Sequence, residues 1–264
     1  TPMNTLANQS GSLASWYDAV RGHTLALVAP LSAEDCTVQS MPDASPAKWN
    51  LAHTTWFFET FVLATHEPGF ALFRPEFRVL FNSYYHAVGD RHPRPQRGLL
   101  TRPTLQDVLA YREQVDDRMR ALLADSAEDA PWHALVTLGL QHEQQHQELL
   151  LTDIKHLLSC SPLWPAYQEN TPLPAPIGTP MVWQDFDGGL VELGHEGPAF
   201  AFDNESPRHR VYLAPYELAS RLVTNGEFAS FIEAGGYEQS ACWLSEGWDW
   251  RMAGGVNHPL YWQR

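Results

Sequence analysis

The chain has 264 residues, and 17 Lys plus Arg against 31 Asp plus Glu give a formal charge of −14. Such a surface repels phosphate backbones, which excludes nucleic-acid binding as the main activity. No apolar run approaches the ~20 residues of a membrane span. Cys36, Cys160 and Cys242 fit neither a zinc spacing nor a disulfide framework, which gives a reducing, cytoplasmic reading.

The first 160 residues read as helices. Leu13, Trp16, Tyr17, Val20, Thr24, Leu27 and Val28 recur at helical spacing, and Pro30 ends the run. A second segment from about Trp49 carries His53, Trp56, Phe57, Thr60 and Leu63 on one stripe. A third follows Pro103, with Thr104 and Asp107 spaced as a capping box and a stripe of Leu105, Val108, Arg112, Val115, Met119 and Leu122. The fourth runs from about Pro131 to Leu158. Four amphipathic helices in this order predict a four-helix bundle. The connection from His66 to Arg102 is too long for a simple turn and belongs to the class of loops that are functional or disordered.

Residues 161–182 are rich in proline and read as a linker. Beyond it, residues 183–264 form a second region of short strand-like runs, such as Val211 to Leu213, between glycine turns. A short helix is predicted near Asn225 to Ala234 with Asn225 as its cap. Trp243, Trp248, Trp250 and Trp262 crowd the last 22 residues, which predicts an aromatic core or cleft there. The fold class is therefore α+β, a bundle followed by a smaller mixed domain.

His142 and His146 lie four apart, so their rings leave the same helix face one turn apart. They fall on the predicted apolar stripe of Leu135, Leu138, His142, Gln145/His146 and Leu149. Imidazole nitrogens facing a bundle interior are costly to desolvate unless something bonds them. His53 sits on the stripe of the second helix, so three nitrogens from two helices can take one face of a metal ion. Zinc, copper, iron and nickel all suit imidazole, and spacing does not choose among them. Packing histidines are the plain alternative. A sharper rival is His142-Glu143-Gln144-Gln145-His146, which satisfies the zinc-peptidase pattern with Glu143 as base.

The long loop holds Tyr84-Tyr85 and then Arg91, Arg94 and Arg97 among prolines. Stiffened arginines suit bidentate capture of a carboxylate, or they pair with the excess of surface acids. Either phenol can supply a proton near a metal, or simply pack.

The segments Trp49 to His53, Phe81 to Tyr85, Arg91 to Pro103 and Leu140 to His156 resemble the EgtB-type ergothioneine-biosynthesis sulfoxide synthases. Phe202 to Glu205, Arg208 to Val211, Val223 to Phe228 and Gly235 to Tyr237 resemble the formylglycine-generating, sulfatase-modifying fold. The resemblance implies a DinB-like four-helix bundle followed by an incomplete sulfatase-modifying (C-type-lectin-like) domain. It implies an iron(II) centre on His53, His142 and His146, and O2-dependent joining of a thiol to hercynine with sulfoxidation. The thiol is cysteine or γ-glutamylcysteine, and the tyrosine pair matches the branch that takes free cysteine. Gln145 matches a position that bonds the histidine derivative. Arg94 and Arg97 match positions that hold the thiol's carboxylate, and Tyr84 or Tyr85 matches a tyrosine beside the iron. Family members have a longer second domain, so its remainder is expected downstream or on a second chain. A DinB-type metal-dependent thiol transferase and a non-catalytic metal-binding module remain as alternatives.

Overall fold

The computed structural model describes residues 12–83, 85–124, 130–169 and 178–262. Two compact units divide the chain, Thr1–Thr171 and Pro172–Arg264.

The first unit is the helical bundle. Helix α1 (Leu13–Val28) starts where Ser12 Oγ accepts the Ser15 amide. Helix α2 (Ala47–Phe57) follows Pro46, and every one of its residues is buried. It therefore runs through the middle of the bundle instead of presenting one stripe. Beyond Phe57 it widens into a π turn, Phe58–Leu63, before ending at His66. Helix α3 (Leu105–Ala124) opens on the expected box, with Thr104 and Asp107 exchanging side-chain-to-amide bonds of 2.9 and 3.1 Å. Helix α4 (His133–Ser159) begins two residues later than the expected Pro131. Trp56, Phe57, Phe58, Val115, Met119, Val136 and Leu140 fill the shared core.

The stripe of α4 is not the predicted one. The buried positions are Val136, Gly139, Leu140, Glu143, Gln147, Leu150 and Ile154, while Leu138 and Leu149 face outward. His142 and His146 thus sit half-buried at the edge of the packed face.

The long connection carries short turns at Phe77–Leu80, His86–Val88 and Arg94–Leu99. Side chains hold it in shape. Asn82 donates to the carbonyls of Tyr85, Gly89 and Asp90 at 3.3, 3.1 and 3.2 Å. Gln39 donates to the Arg94 carbonyl at 2.9 Å and accepts the Gly98 amide at 2.8 Å. Lys48 Nζ donates to the Leu100 carbonyl at 2.7 Å.

In the second unit β1 (Trp183–Phe186) pairs antiparallel with β4 (Tyr216–Ala219), and β2 (Gly189–Leu193) with β3 (His209–Leu213). Helix α5 (Asn225–Glu233) is capped by Thr224, one residue before the expected Asn225, because Glu227 completes a capping box with that threonine. Helix α6 (Ser245–Gly254) ends at Gly255, whose φ of +59° suits glycine. The expected aromatic core is small. Tyr237 is the buried apolar side chain among the described residues of this unit, edge-on to Trp243, while Trp250 is exposed. Among the described residues no helix is long and apolar enough to cross a membrane.

Candidate metal centre

The centre is built from α2 and α4, with a carbonyl from the long loop. His53 is 1% exposed, and its Nδ1 lies 2.6 Å from the Phe81 carbonyl oxygen. A carbonyl only accepts, so Nδ1 carries the proton and donates it, leaving the Nε2 lone pair free. His146 Nδ1 lies 2.9 Å from Asn50 Oδ1, and the Asn50 amide nitrogen faces the Ser45 and Pro46 carbonyls. That orientation makes Oδ1 the acceptor, so the second Nε2 is free as well.

His142 Nε2 stands 3.2 Å from His53 Nε2. One ligand atom from each of the three rings falls within 4.8 Å of the other two, and among the described residues this is the group that could hold a metal ion. Among the described residues His142 Nδ1 is buried without a hydrogen-bond partner.

Burial holds all three rings neutral. It pushes His142 down to about 4 and, reinforced by repulsion from His142, His146 down to about 3. His53 falls well below the ordinary histidine range for the same first reason, then through its two neighbours. Neutral imidazoles with two Nδ1 protons engaged, and one ligand nitrogen from each ring within 4.8 Å of the other two, form the donor set a divalent metal takes.

An aromatic wall orients the ligands. Trp49 stacks on His53 with centroids 4.5 Å apart, and Trp56 stacks on the same ring at 5.6 Å. The Arg97 guanidinium lies over Trp49.

Glu143 is not at the centre. Its carboxylate is fully buried in another layer, accepting from Arg21 Nη1 at 2.9 Å, Thr24 Oγ1 at 2.6 Å, and Arg112 Nη2. Burial alone would raise its pKa, but Arg112 and Arg21 outweigh it and hold the group at about 2. A carboxylate so saturated and so acidic cannot take a proton from water, which removes the zinc-peptidase reading.

The other candidates scatter. Tyr85 is half-buried against Trp56, Phe57 and Phe61, with its ring 6.5 Å from that of His142, and burial raises its phenol. Tyr84 lies outside the described residues. Gln145 is exposed on α4 between the two histidines. Arg91, Arg94 and Arg97 line a cavity of about 430 Å³ with Ser83, His92, Pro93 and Pro95. Arg94 donates to the Asp43 carbonyl. Arg97 is 5% exposed and donates to Ser45 Oγ at 2.8 Å and Ser83 Oγ at 3.1 Å. Sequence reasoning did not single out Asn50. Its signal was its place one turn before His53 on the same helix face.

Residues 17–150 match the DinB superfamily. The chain belongs to that superfamily. Residues 178–261 match a sulfatase-modifying factor enzyme 1-like domain, so a DinB domain is followed here by a second domain of another family. The chain is 32% identical over 256 residues to the hercynine oxygenase of Mycobacterium tuberculosis, covering 95% of this chain and 57% of that protein. Its identity to the hercynine oxygenase of Mycolicibacterium smegmatis is 31%, with the same coverage. Ergothioneine biosynthesis protein 1 of Neurospora crassa is 24% identical over 144 residues, 49% of this chain and 16% of that protein. The chain thus spans little more than half the length of the hercynine oxygenases it matches.

Proposed function

We propose that this DinB chain acts in ergothioneine biosynthesis as a hercynine sulfoxide synthase. The reaction is iron(II)- and O2-dependent joining of a thiol, cysteine or γ-glutamylcysteine, to the imidazole of hercynine, with oxidation of sulfur to the sulfoxide. The observation that carries this reading is the convergence of His53, His142 and His146 in a chain similar over 95% of its length to hercynine oxygenases.

A bound ferrous ion would supply redox chemistry and a template on which thiolate, imidazole and O2 meet. The protein's own residues do the rest. The Phe81 carbonyl and Asn50 Oδ1 hold the Nδ1 protons of His53 and His146, fixing ring direction and tautomer. Arg94 and Arg97, at the loop cavity, take the thiol substrate's carboxylate. Gln145 bonds the histidine derivative. Tyr85 or Tyr84 supplies a proton or hydrogen bond during coupling, and Tyr85 stands within one ring of His142. Unpaired Cys36, Cys160 and Cys242 accord with a cytoplasmic site of action.

The test measures iron content, O2 uptake and product by mass spectrometry with hercynine plus cysteine, and then with γ-glutamylcysteine. Wild type should hold one iron and consume O2 only with both substrates, while His142→Ala and His146→Ala lose the metal. Zinc in place of iron with thiol transfer to another acceptor would favour a DinB-type transferase. Metal binding without turnover of any thiol would favour a binding module.

A further inference from the structure

Two buried arginines each hold both histidine-bearing helices at once. Arg21, on α1, donates through Nη2 to Thr55 Oγ1 on α2 at 3.0 Å and through Nη1 to Glu143 Oε2 on α4 at 2.9 Å. Arg112, on α3, donates through Nη1 to Thr54 Oγ1 on α2 at 3.2 Å and through Nη2 to Glu143 Oε1 on α4. Thr54 and Thr55 follow His53 in sequence, and Glu143 follows His142. Each guanidinium therefore spans the gap between the helices at the level of the ligands.

We infer that Glu143, gripped by Arg21 and Arg112, is a positioning residue that sets the separation and rotation of α2 and α4, and so the convergence of one ring nitrogen from each of the three histidines. A guanidinium is a planar fork of fixed dimensions, whereas two apolar faces can slide. The Arg21 fork is also held from behind. Arg21 Nε is held by Asp116 at 2.6 Å, and Asp116 also accepts the Tyr17 hydroxyl at 2.6 Å. Thr54 and Thr55 spend their own protons on backbone carbonyls of α2, so their oxygens face the arginines as acceptors.

Stability alone is a poor account of such a cluster, because buried ion networks are often matched or exceeded by apolar replacements. Charge supplies a second argument. Arg21 and Arg112 balance Asp116 and Glu143, so the layer beside the histidines is neutral and compatible with a dication. Neutralising Glu143 leaves one positive charge in excess in a dry interior, where it opposes metal loading.

This inference rests on the three-histidine metal reading, and the experiment separates the two. Co2+ is titrated into metal-free protein and followed by its ligand-field bands, and thermal unfolding of the metal-free protein is measured in parallel. The variants are Glu143→Gln, Thr55→Val and, as a control, Val136→Ala, a buried apolar site on α4 six residues before His142. Outer partners of metal ligands are typically worth about 10- to 100-fold in affinity. E143Q is expected to lose that much and T55V less, both with altered bands. V136A is expected to unfold earlier yet keep wild-type affinity. If E143Q does not fold, T55V, which leaves every charge in place, carries the same comparison. Wild-type affinity in E143Q and T55V, or an equal loss in V136A, overturns the inference. Failure of the wild type to bind Co2+, or wild-type binding by His146→Ala, overturns the metal reading instead.

Discussion

The guanidinium carbon of Arg97 lies 3.4 Å from the centroid of the Trp49 ring, and that same indole is stacked on His53 at 4.5 Å. A cation is thereby joined to a candidate metal ligand through a single aromatic ring. The loop that carries Arg97 also carries Phe81, whose carbonyl holds the other edge of His53. Loop and ligand are positioned together.

Arg97→Leu should therefore do more than weaken substrate binding. It removes the stack and the bonds to Ser45 and Ser83, a loss of about 2–4 kcal/mol. Arg94→Leu, at a half-buried position, should raise the KM for the thiol with stability changed by less than about 1 kcal/mol. Urea unfolding of both variants checks this, and equal unfolding midpoints would refute the structural share assigned to Arg97.

Asn50 offers a paired test. Asn50→Leu strips His146 of its acceptor and should cost about 10- to 100-fold in metal affinity. Asn50→Asp keeps an acceptor oxygen and should retain or improve binding. Competition titration with a chelator reads both, and identical affinities would show that the bond to His146 does not matter.

The metal-free protein should weaken as acid is added, well before carboxylates protonate. His142 and His146 are held at about 4 and about 3 in the fold, against an ordinary value near 6.5. Their folded pKa values are depressed, so below 6.5 the unfolded chain binds protons that the folded one refuses. Stability is lost as pH falls from 6.5 toward 4, by about 1.4 kcal/mol per pH unit for each histidine. Urea midpoints at pH 7, 6 and 5 should fall in that order. A flat series would contradict the burial of these rings.

The three thiols should separate by reactivity. Cys36 is fully buried, and burial, with Asp35 adding to it, pushes its thiol up to about 12. Cys160 and Cys242 are exposed. A thiol-specific disulfide reagent at pH 8 should label two groups within minutes and the third only on unfolding. Rapid labelling of all three would mean that α2 opens readily, since the Lys48 amide bonds the Cys36 carbonyl.

The bundle was legible because its helices carry their own punctuation. Pro30 follows α1, and Thr104 with Asp107 opens α3. The four-residue spacing of His142 and His146 put their rings on one side of the helix, and no more than that. The face of α4 was not, because hydropathy assigns Glu143 to solvent while Arg21 and Arg112, from two other helices, neutralise it inside. Single-helix periodicity cannot see a partner on another helix. The same limit hid the Phe81 carbonyl, since a backbone acceptor 28 residues from His53 leaves no mark in the side-chain pattern. The cap of α5 slipped by one residue because Thr224 and Asn225 are both good caps, and Glu227 chose between them.

Gly139 lies one turn before His142, and a methyl built there would meet Phe58 Cε1 at 2.6 Å and Phe57 Cε1 at 2.8 Å. The absence of that one carbon lets α4 approach the rings at the end of α2. Position 139 is therefore tied in volume to positions 57 and 58. A chain of this architecture that acquires alanine at 139 must shrink one of the two phenylalanines or shift the helices that carry the histidines. Across many such sequences the three positions should covary in size, with the ligand positions themselves unchanged.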